Sequence, residues 1–444
     1  KIKKPVDFGF LDFTTLEKRR LYCDQELRLN SRLAPDIYLD VVPISGTPEV
    51  PRVSGGGTVI EYAVRMREFP QEALADRVLA RGELTPRHID ALAALVVDFH
   101  RRVPCSGKSH GYGAPETILA FAAQNFAQIR AHPLQASQPQ PVDEIEAWSL
   151  LEQKRLREAF LRRKNKGRVR ECHGDLHLGN ILLLEGEPRV FDCIEFNPDL
   201  RWIDVMNEVA FVVMDLRAAG RRDFAARFLN SYLESSGDYG GLEVLRYYLV
   251  YRAMVRAKIN LLRALQLGPG IAESLALEEQ FRRYLALAQS YIREPRGFVA
   301  LTHGFSGSGK TTLSQPLLEL TGAIRIRSDI ERKRMHGIAA TNHPEAGIAG
   351  GLYAADVTDS TYQRLLELAG TILESGHGVI VDATFLKRRH RDLFRAFAAQ
   401  ARVPFSIVDF PVREDILRTR IAARIQMGQD ASDADLAVLD HQLA

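Results

Sequence analysis

The chain has 444 residues, 46% of them hydrophobic and 26% charged, which predicts a globular protein of two or three domains and excludes a disordered or fibrous chain. Lys and Arg number 59 against 56 Asp and Glu, so the net charge of +3 gives no argument for a nucleic-acid or membrane partner. The four cysteines lack metal-ligand spacing, and neither a membrane-spanning run nor a signal peptide is visible, so we expect a cytoplasmic protein. The first residue is Lys, and the last stands in a helix-like stretch, so we expect further segments beyond both ends.

The segment from the start to about Pro70 predicts a small mixed lobe. Short apolar runs at Tyr38–Val42 and Thr58–Val64 favour strands, and the stretch from Thr15 to Leu33 favours a helix.

Helical periodicity dominates from Gln71 to about Arg293, with one strand-rich island from Cys172 to Phe196. One helix is expected to stop at Gly268–Gly270 and another to follow it, until Glu294–Gly297 break the pattern. The two predicted domains are residues 1–294, with a small lobe to about 70, and residues 298–444.

The island reads His173-Gly-Asp-Leu-His-Leu-Gly-Asn180 and continues through a predicted strand, turn and strand to Asp192. Phosphoryl transfer needs a group that positions the acceptor hydroxyl and oxygen ligands for Mg²⁺ at the phosphates. Asp175 suits the first role, and Asn180 and Asp192 suit the second. A hairpin between Asn180 and Asp192 would bring both ligands to one end, near Asp175. The alternative is a capping Asp, a turn Asn and a strand-end Asp that share no site.

This loop, with Phe191–Phe196 after it, closely resembles the catalytic loop and metal motif of the aminoglycoside phosphotransferase family, which is related to choline kinases and protein kinases. The resemblance implies a bilobal, protein-kinase-like fold in which Asp175 is the catalytic base and Asn180 and Asp192 hold Mg²⁺. It also implies that Asp204 braces the loop.

The same family pairs a strand lysine with a helix glutamate to hold the ATP phosphates. The start of the chain looks like the end of that strand, and Cys23–Asn30 looks like that helix, which implies that Lys3 and Glu26 bind the cofactor. Lys1 points to the same strand face, and a solvated basic terminus is the alternative. By the same resemblance, Glu61–Met66 would contact adenine, and the strands before the lysine would lie upstream of residue 1.

Residues 304–311 read Gly-Phe-Ser-Gly-Ser-Gly-Lys-Thr, a complete phosphate loop between an apolar run and a helix-like stretch. Such a turn points several backbone N–H groups at one spot, where the helix dipole adds positive potential. Lys310 would act catalytically on the β- and γ-phosphates, and the Thr311 hydroxyl would bind Mg²⁺. The alternative is a glycine-rich turn that precedes a lysine by chance. The predicted nucleotide-binding residues of the loop are Gly304, Ser306, Gly307, Ser308, Gly309, Lys310, Thr311 and Thr312.

Three further apolar runs, Ala323–Ile326, Gly378–Asp382 and Phe405–Asp409, alternate with helical stretches. This pattern predicts a parallel sheet wrapped by helices. Pro316, inside the predicted loop helix, is a local conflict, because a proline there costs about 3 kcal/mol unless the helix kinks. A fifth strand is not evident before the chain stops.

From about Phe298 onward the chain resembles the small P-loop kinases, which include gluconate kinase, polynucleotide kinase, zeta toxins and chloramphenicol phosphotransferase. The resemblance makes Asp329 a candidate catalytic base and Arg332 a substrate contact, whereas the alternative is a helix cap at Ser328 and Asp329. Asp382 ends a predicted strand and suits Mg²⁺ as a Walker-B-like ligand, and the alternative is again a helix cap.

Arginines stand on a predicted lid helix, where Arg420 and Arg424 share one face at i, i+4 spacing and would bind the nucleotide phosphates. A solvated basic face is the alternative, which applies equally to Arg413 and Arg418.

The fold class expected from these patterns is α/β and α+β in two domains, a bilobal kinase-like domain and a P-loop domain. We predict a bifunctional phosphotransferase that uses Mg²⁺ and ATP, or else GTP, to phosphorylate a hydroxyl. Acceptors are a sugar, amino-alcohol, aminoglycoside or nucleoside and, for the second domain, also a nucleic-acid 5′-hydroxyl. The alternative is that one domain senses nucleotide and regulates the other or a partner protein. A polycationic aminoglycoside would need acidic groups in the cleft, and the candidates are Glu195, Asp199, Asp204, Glu208 and Asp215.

Overall fold

The computed structural model describes residues 1–7, 11–107, 110–132, 140–268, 270–293, 297–338, 355–427 and 434–443. The chain forms two compact units. Unit 1 holds Lys1–Gly220 and Val244–Ile292, and unit 2 holds Arg221–Glu243 and Arg293–Ala444. A segment from the middle of the sequence, Arg221–Glu243, therefore folds with the C-terminal part.

The helices of the described residues are α1 (Leu16–Asn30), α2 (Ala75–Ala80), α3 (Pro86–Arg102), α4 (Pro115–Arg130), α5 (Gln140–Arg155), α6 (Arg157–Asn165), α7 (Pro198–Arg201), α8 (Val205–Ala218), α9 (Arg222–Ser236), α10 (Leu242–Leu267), α11 (Ala272–Ile292), α12 (Lys310–Thr321), α13 (Ser328–Met335), α14 (Ala355–Glu374), α15 (Arg388–Gln400), α16 (Glu414–Met427) and α17 (Leu436–Leu443).

The strands are β1 (Tyr38–Thr47), β2 (Val50–Val53), β3 (Val59–Met66), β4 (Val169–Glu171), β5 (Ile181–Leu184), β6 (Glu187–Val190), β7 (Trp202–Asp204), β8 (Val299–His303), β9 (Ile324–Arg327), β10 (Val379–Asp382) and β11 (Phe405–Asp409).

The small lobe of unit 1 consists of α1 and an antiparallel sheet of order β2-β1-β3. Helix α1 begins after Thr15, whose hydroxyl accepts a hydrogen bond from the Lys18 N–H group at 3.3 Å. Buried side chains of α1, β1 and β3, among them Cys23, Tyr38 and Val64, form its core. The helix and both strands expected from the sequence are therefore present.

Helix α8 runs through the interior of the helical lobe, since every residue from Val205 to Leu216 is buried. A helix that is buried all round is normally apolar all round, yet α8 carries Asn207, Glu208 and Asp215. Buried polar groups require hydrogen-bond partners. Glu208 and Asp215 find partners in the loop from His173 to Asn180, and Asn207 finds one in Arg252.

Unit 2 contains a four-stranded parallel sheet of order β11-β8-β10-β9. One of its two inner strands, β10, is buried at every residue, as expected for a parallel strand covered on both faces. The predicted parallel sheet with flanking helices is thus confirmed. Helix α12 continues through Pro316, so the local conflict does not end the helix.

Strand β9 lies at an edge of this sheet, and α9 satisfies part of its backbone. Asn230 of α9 donates Nδ2 to the carbonyl oxygen of Ala323 at 3.0 Å and accepts from the Arg325 N–H group at 2.7 Å. The side-chain amide of Asn230 thus makes the two backbone hydrogen bonds that a neighbouring strand would make with the edge strand β9.

Among the described residues, no helix combines the length and the apolar character needed to span a bilayer.

Candidate active sites

Glu208 of α8 fixes the backbone of the predicted catalytic loop of unit 1, residues 173–180. Its Oε1 accepts hydrogen bonds from the N–H groups of His173 at 2.7 Å and Gly174 at 2.8 Å. Its Oε2 lies 2.8 Å from Nε2 of His100. Burial would raise the pKa of Glu208, but the interactions with His100 and the loop hold it below its ordinary value. A buried carboxylate therefore fixes the loop from a core helix.

Two more polar residues fix the same loop. Arg252 donates Nη1 to the carbonyl oxygen of Gly174 at 3.0 Å and Nε to Oδ1 of Asn207 at 2.7 Å. Asp215 accepts from the N–H group of Leu178 at 2.9 Å. Asp204, in contrast, pairs with Arg163 and accepts from the Met206 N–H group, so the expectation that Asp204 braces the loop directly is corrected.

The Asp175 side chain is 32% exposed and reaches the surface of a cleft in unit 1. Its Oδ2 accepts from Nδ2 of Asn180 at 3.0 Å and lies 3.4 Å from Nε2 of His177. Burial would raise the pKa of Asp175, but His177, with His173 and Arg252 further away, outweighs it and lowers the pKa. The carboxylate is therefore ionised at neutral pH and can accept a hydrogen bond from a hydroxyl.

Strands β5 and β6 form the predicted hairpin, in which Ile181 pairs with Val190. The Phe191 N–H group donates to the carbonyl oxygen of Asn180 at 3.1 Å, which places Asn180 and Asp192 at the same end. Asp192 has a positive φ of 64°, a left-handed conformation that non-glycine residues seldom adopt and that often marks functional sites. Carboxylate and amide oxygens are the donor types that Mg²⁺ prefers, so this pair fits the ion.

The predicted contact between Lys3 and Glu26 is present, and both side chains are buried. Lys1 also contacts Glu26, at 2.9 Å, and pairs with Asp192, whereas Lys3 pairs with Glu195. Burial opposes the charge on Lys1, but Asp192 and Glu26 outweigh it and raise its pKa. The structure thus brings both lysines to the glutamate and only Lys1 to the proposed metal ligand.

The segment Glu61–Met66, predicted to contact adenine, belongs to β3. Ile2 forms an antiparallel bridge to Ala63, so the start of the described chain runs beside this strand. The segment that carries Lys1 and Lys3 and the predicted adenine-contacting strand are therefore neighbours in the small lobe.

A cleft of about 580 Å³ in unit 1 is lined by the small lobe, the catalytic loop, α4 and α10. Asp175 and Asp192 both lie on its surface. Of the five carboxylates suggested for a polycationic acceptor, Glu195, Asp199 and Asp204 line the cleft, although Glu195 pairs with Lys3 and Asp204 with Arg163. Glu208 and Asp215 bind the loop instead. Three of the five expected carboxylates thus line the cleft, and two of those three are already paired with cations of the protein.

In unit 2 the phosphate loop joins β8 to α12 as predicted. Lys310 donates Nζ to the carbonyl oxygens of Gly304 at 3.0 Å and Phe305 at 2.7 Å, and it lies 3.4 Å from Oγ of Ser308. Gly307 has a φ of 82°, and a Cβ there would lie 3.2 Å from the carbonyl oxygen of Leu417. Glycine thus permits both the turn of the loop and the close approach of α16. Gly309 shares the left-handed conformation, and Thr312 is exposed on α12.

The Thr311 hydroxyl donates to Oδ2 of Asp382 at 2.7 Å, and Oδ1 of Asp382 lies 3.3 Å from Oγ1 of Thr302. Asp382 is buried at the carboxyl end of β10, whereas the next helix begins after Lys387, so the alternative of a helix cap is not supported. A hydroxyl and a carboxylate beside a phosphate loop are donors that fit Mg²⁺.

Asp329 follows the carboxyl end of β9, which is parallel to β10, and lies in the first turn of α13. Its Oδ1 lies 3.4 Å from Nη1 of Arg332, and α13 starts without a side-chain cap. Arg420 reaches the loop, 3.5 Å from the carbonyl oxygen of Ser308. The side chain of Arg424 lies outside the described residues. Arg413 and Arg418 form exposed ion pairs, as the alternative of a solvated face predicted.

One contact of the phosphate loop was not predicted. Gln442 of α17 accepts from the Ser306 N–H group at 2.9 Å and donates Nε2 to the Ser306 hydroxyl at 3.0 Å. No sequence signal marks this glutamine. Glu208, in contrast, carries a sequence signal, because a charged residue inside an apolar helix requires a buried partner.

Comparison with known proteins gives matches for both parts of the chain. Residues 18–248 match the phosphotransferase enzyme family, and residues 299–444 match the AAA domain family. An uncharacterized protein of Mycobacterium tuberculosis is 31% identical over 441 residues, which cover 99% of this chain and 85% of that protein. An uncharacterized protein of Mycobacterium bovis matches to the same extent.

Solved structures give partial matches. An amicoumacin kinase in complex with AMP-PNP is 16% identical, over 60% of this chain and 77% of that chain, with a TM-score of 0.38. A gluconokinase from Sinorhizobium meliloti is 24% identical, over 34% and 75%, and the APS kinase of Mycobacterium tuberculosis is 25% identical, over 30% and 73%, each with a TM-score of 0.24. Since these scores are below 0.5, the assignment rests on the family matches and the mycobacterial relatives. The chain belongs to the phosphotransferase enzyme family, carries after that region a phosphate-loop domain that matches the AAA domain family, and is an ATP-dependent phosphotransferase.

Proposed function

We propose that the protein is a bifunctional kinase in which each domain transfers the γ-phosphate of Mg-ATP to a hydroxyl. The observation that carries this proposal is the contact of Asp175 with Asn180 on a cleft that also contains Asp192. The first domain, residues 1–294 in the sequence, would phosphorylate a small molecule. The second, residues 298–444, would phosphorylate a sugar, a nucleoside or a nucleic-acid 5′-hydroxyl.

In the first domain, Asp175 would accept the hydrogen bond of the acceptor hydroxyl and orient its oxygen toward the γ-phosphorus. Asn180 and Asp192 would hold Mg²⁺, which neutralises phosphate charge when bound. Lys1 and Lys3, both paired with Glu26, would bind the phosphates of the nucleotide. The oxygen–phosphorus bond to the acceptor forms as the bond to ADP breaks, and the hydroxyl proton passes to Asp175 or to solvent.

In the second domain, Thr311 and Asp382 would hold Mg²⁺, and Lys310 with the loop amides would bind the phosphates. Lys310 must exchange its contacts with loop carbonyls for the phosphates when nucleotide enters. Asp329 would position the acceptor. It follows the carboxyl end of β9, and the phosphate loop and Asp382 lie at the carboxyl ends of the parallel strands β8 and β10. Arg420 would supply positive charge from α16.

The test is transfer of γ-³²P from Mg-ATP into fractionated metabolites and RNA by the full chain, Asp175→Asn, Lys310→Ala and the double variant. Two labelled products, each lost with one of the substitutions, are expected. No product from any variant would overturn the proposal in favour of regulated nucleotide binding. One product lost only in Asp175→Asn, or only in Lys310→Ala, would leave a single catalytic domain.

A further inference from the structure

Lys258 of α10 is a cation on the cleft wall of unit 1 that has a neutral partner. Its Nζ donates to Oδ1 of Asn125 at 2.7 Å, and no carboxylate of the described residues pairs with it. Burial lowers the pKa of Lys258, with no acidic group acting in the other direction. An ammonium group that is half-buried beside an amide carries a desolvation cost that an anionic ligand would offset.

Two lysines at the nucleotide side of the cleft differ from Lys258 in this respect. Lys1 pairs with Glu26 and Asp192, and Lys3 pairs with Glu26 and Glu195. Their charges are therefore balanced within the protein. The positive charge of Lys258 is available to a ligand.

The position of Lys258 relates it to the reacting hydroxyl. One face of α10 lines the cleft, with Arg252, Val255, Lys258 and Ile259 at helical spacing. Arg252 donates to the carbonyl oxygen of Gly174, the residue before Asp175. Lys258 lies six residues further along α10, which at 1.5 Å per residue is about 9 Å along the helix axis. That separation fits the two ends of one small molecule.

Helix α4, whose Asn125 contacts Lys258, adds uncharged, hydrogen-bonding side chains to the cleft. Gln124, Asn125 and Gln128 of α4 line it, and side-chain amides both donate to and accept from hydroxyl groups. Of the carboxylates other than Asp175 that line the cleft, Asp192, Glu195 and Asp204 pair with cations of the protein, and Asp199 also borders a second groove lined by His110, Tyr112 and Glu116. An acidic group is thus present at that border, and cationic acceptors form the opposing arm of the test below.

We propose that the acceptor of unit 1 is a polyol that carries an anionic group, a carboxylate or a phosphate, bound by Lys258 while a hydroxyl is presented to Asp175. This inference rests on the proposed function of unit 1. It names an acceptor opposite in charge to an aminoglycoside or an amino-alcohol.

The test uses the full chain with Lys310→Ala, so that transfer reports unit 1. The acceptors are four six-carbon compounds that differ in charge, together with kanamycin as a polycation. Gluconate and glucose 6-phosphate are the anionic members, glucose is the neutral member, and glucosamine and kanamycin are the cationic members. We expect transfer to an anionic member, with the carboxylate and phosphate probes distinguishing the two anions. Preference for glucose or a cationic member, or no response to any anionic member, overturns the inference.

Lys258→Gln should raise the KM for the anionic acceptor about tenfold to a hundredfold, the range for a lost hydrogen bond to a charged group. Lys258→Arg should restore part of the affinity, and Arg263→Gln, an exposed cation on the same helix, is the matched control. An equal KM in Lys258→Gln and Arg263→Gln contradicts the inference. If an anionic acceptor binds through Lys258 but receives no phosphate, the proposed function is refuted and the inference is not. If a cationic acceptor receives phosphate and this transfer is lost in Asp175→Asn, the inference is refuted and the proposed function is not.

Discussion

Replacing Gln442 with Ala should tighten the binding of Mg-ATP to unit 2. The side chain bonds to both the N–H group and the hydroxyl of Ser306, at 2.9 and 3.0 Å. Phosphates bind such a loop through its backbone N–H groups. Nucleotide must therefore displace Gln442 from one of the donors it needs.

The size of the effect follows from the two hydrogen bonds. Each contributes about 0.5 to 1.5 kcal/mol net, so releasing both removes about 1 to 3 kcal/mol of competition. The Kd for Mg-ATP should then fall about fivefold or more, since 1.4 kcal/mol corresponds to a factor of ten. The same substitution should slightly lower the melting temperature of unit 2 without nucleotide, because α17 loses a contact.

Calorimetric titration of the full chain with Mg-ATP measures the affinity, and Lys310→Ala identifies which isotherm belongs to unit 2. His441→Ala, on the same helix but exposed, is the control and should leave the Kd unchanged. An unchanged Kd in Gln442→Ala would show that Gln442 does not compete with phosphate. A weaker Kd would show that Gln442 contacts the nucleotide itself, and either result refutes the reasoning.

Three further predictions concern the two sites. Glu208→Ala leaves two loop N–H groups unpaired in the interior and should lower the free energy of unfolding of unit 1 by about 3 kcal/mol, measured in urea. Glu208→Gln should retain more of this stability. Equal losses in the two variants would show that the carboxylate does not stabilise the loop through these hydrogen bonds. Lys1→Met and Lys3→Met should both raise the KM for ATP in unit 1, and Lys3→Met, which deprives buried Glu26 of a cation, should also lower the melting temperature; an unchanged KM in either variant would exclude that lysine as a nucleotide contact. Asp382→Asn should reduce phosphate transfer by unit 2 roughly a hundredfold or more and weaken its dependence on Mg²⁺, and an unaltered Mg²⁺ titration would exclude Asp382 as a metal ligand.

The parts of the fold and of the sites that depend on near neighbours could be predicted from the sequence. The phosphate loop of unit 2 follows from a strand, a glycine-rich turn and a helix that adjoin each other. The hairpin that brings Asn180 and Asp192 together follows from two short apolar runs and the turn between them. In both cases the chain that carries the signal is the chain that forms the contact.

The contacts that hold these sites in place could not be predicted, because they join residues far apart in sequence. Glu208 lies 35 residues from the loop amide that it binds, and Gln442 lies 136 residues from Ser306. Each looks like an ordinary helix residue until its helix is known to be buried or to lie against the loop. Asp204 illustrates the opposite case. The resemblance assigned it the role of bracing the loop, but its carboxylate pairs with Arg163.

The division of the chain into two units could not be predicted for the same reason, because it depends on contacts between residues far apart in sequence. It also affects the proposed chemistry of unit 2. Residues 221–243 lie inside the range that matches the phosphotransferase enzyme family, yet they group with unit 2. Within unit 2, Asn230 satisfies the edge of β9, and Glu234 lies 3.2 Å from Arg327, two residues before Asp329. The strand that positions the proposed acceptor base is thus supported by chain that precedes the phosphate loop. Because of this support, the P-loop chemistry of the protein depends on more than the residues that carry the P-loop signature.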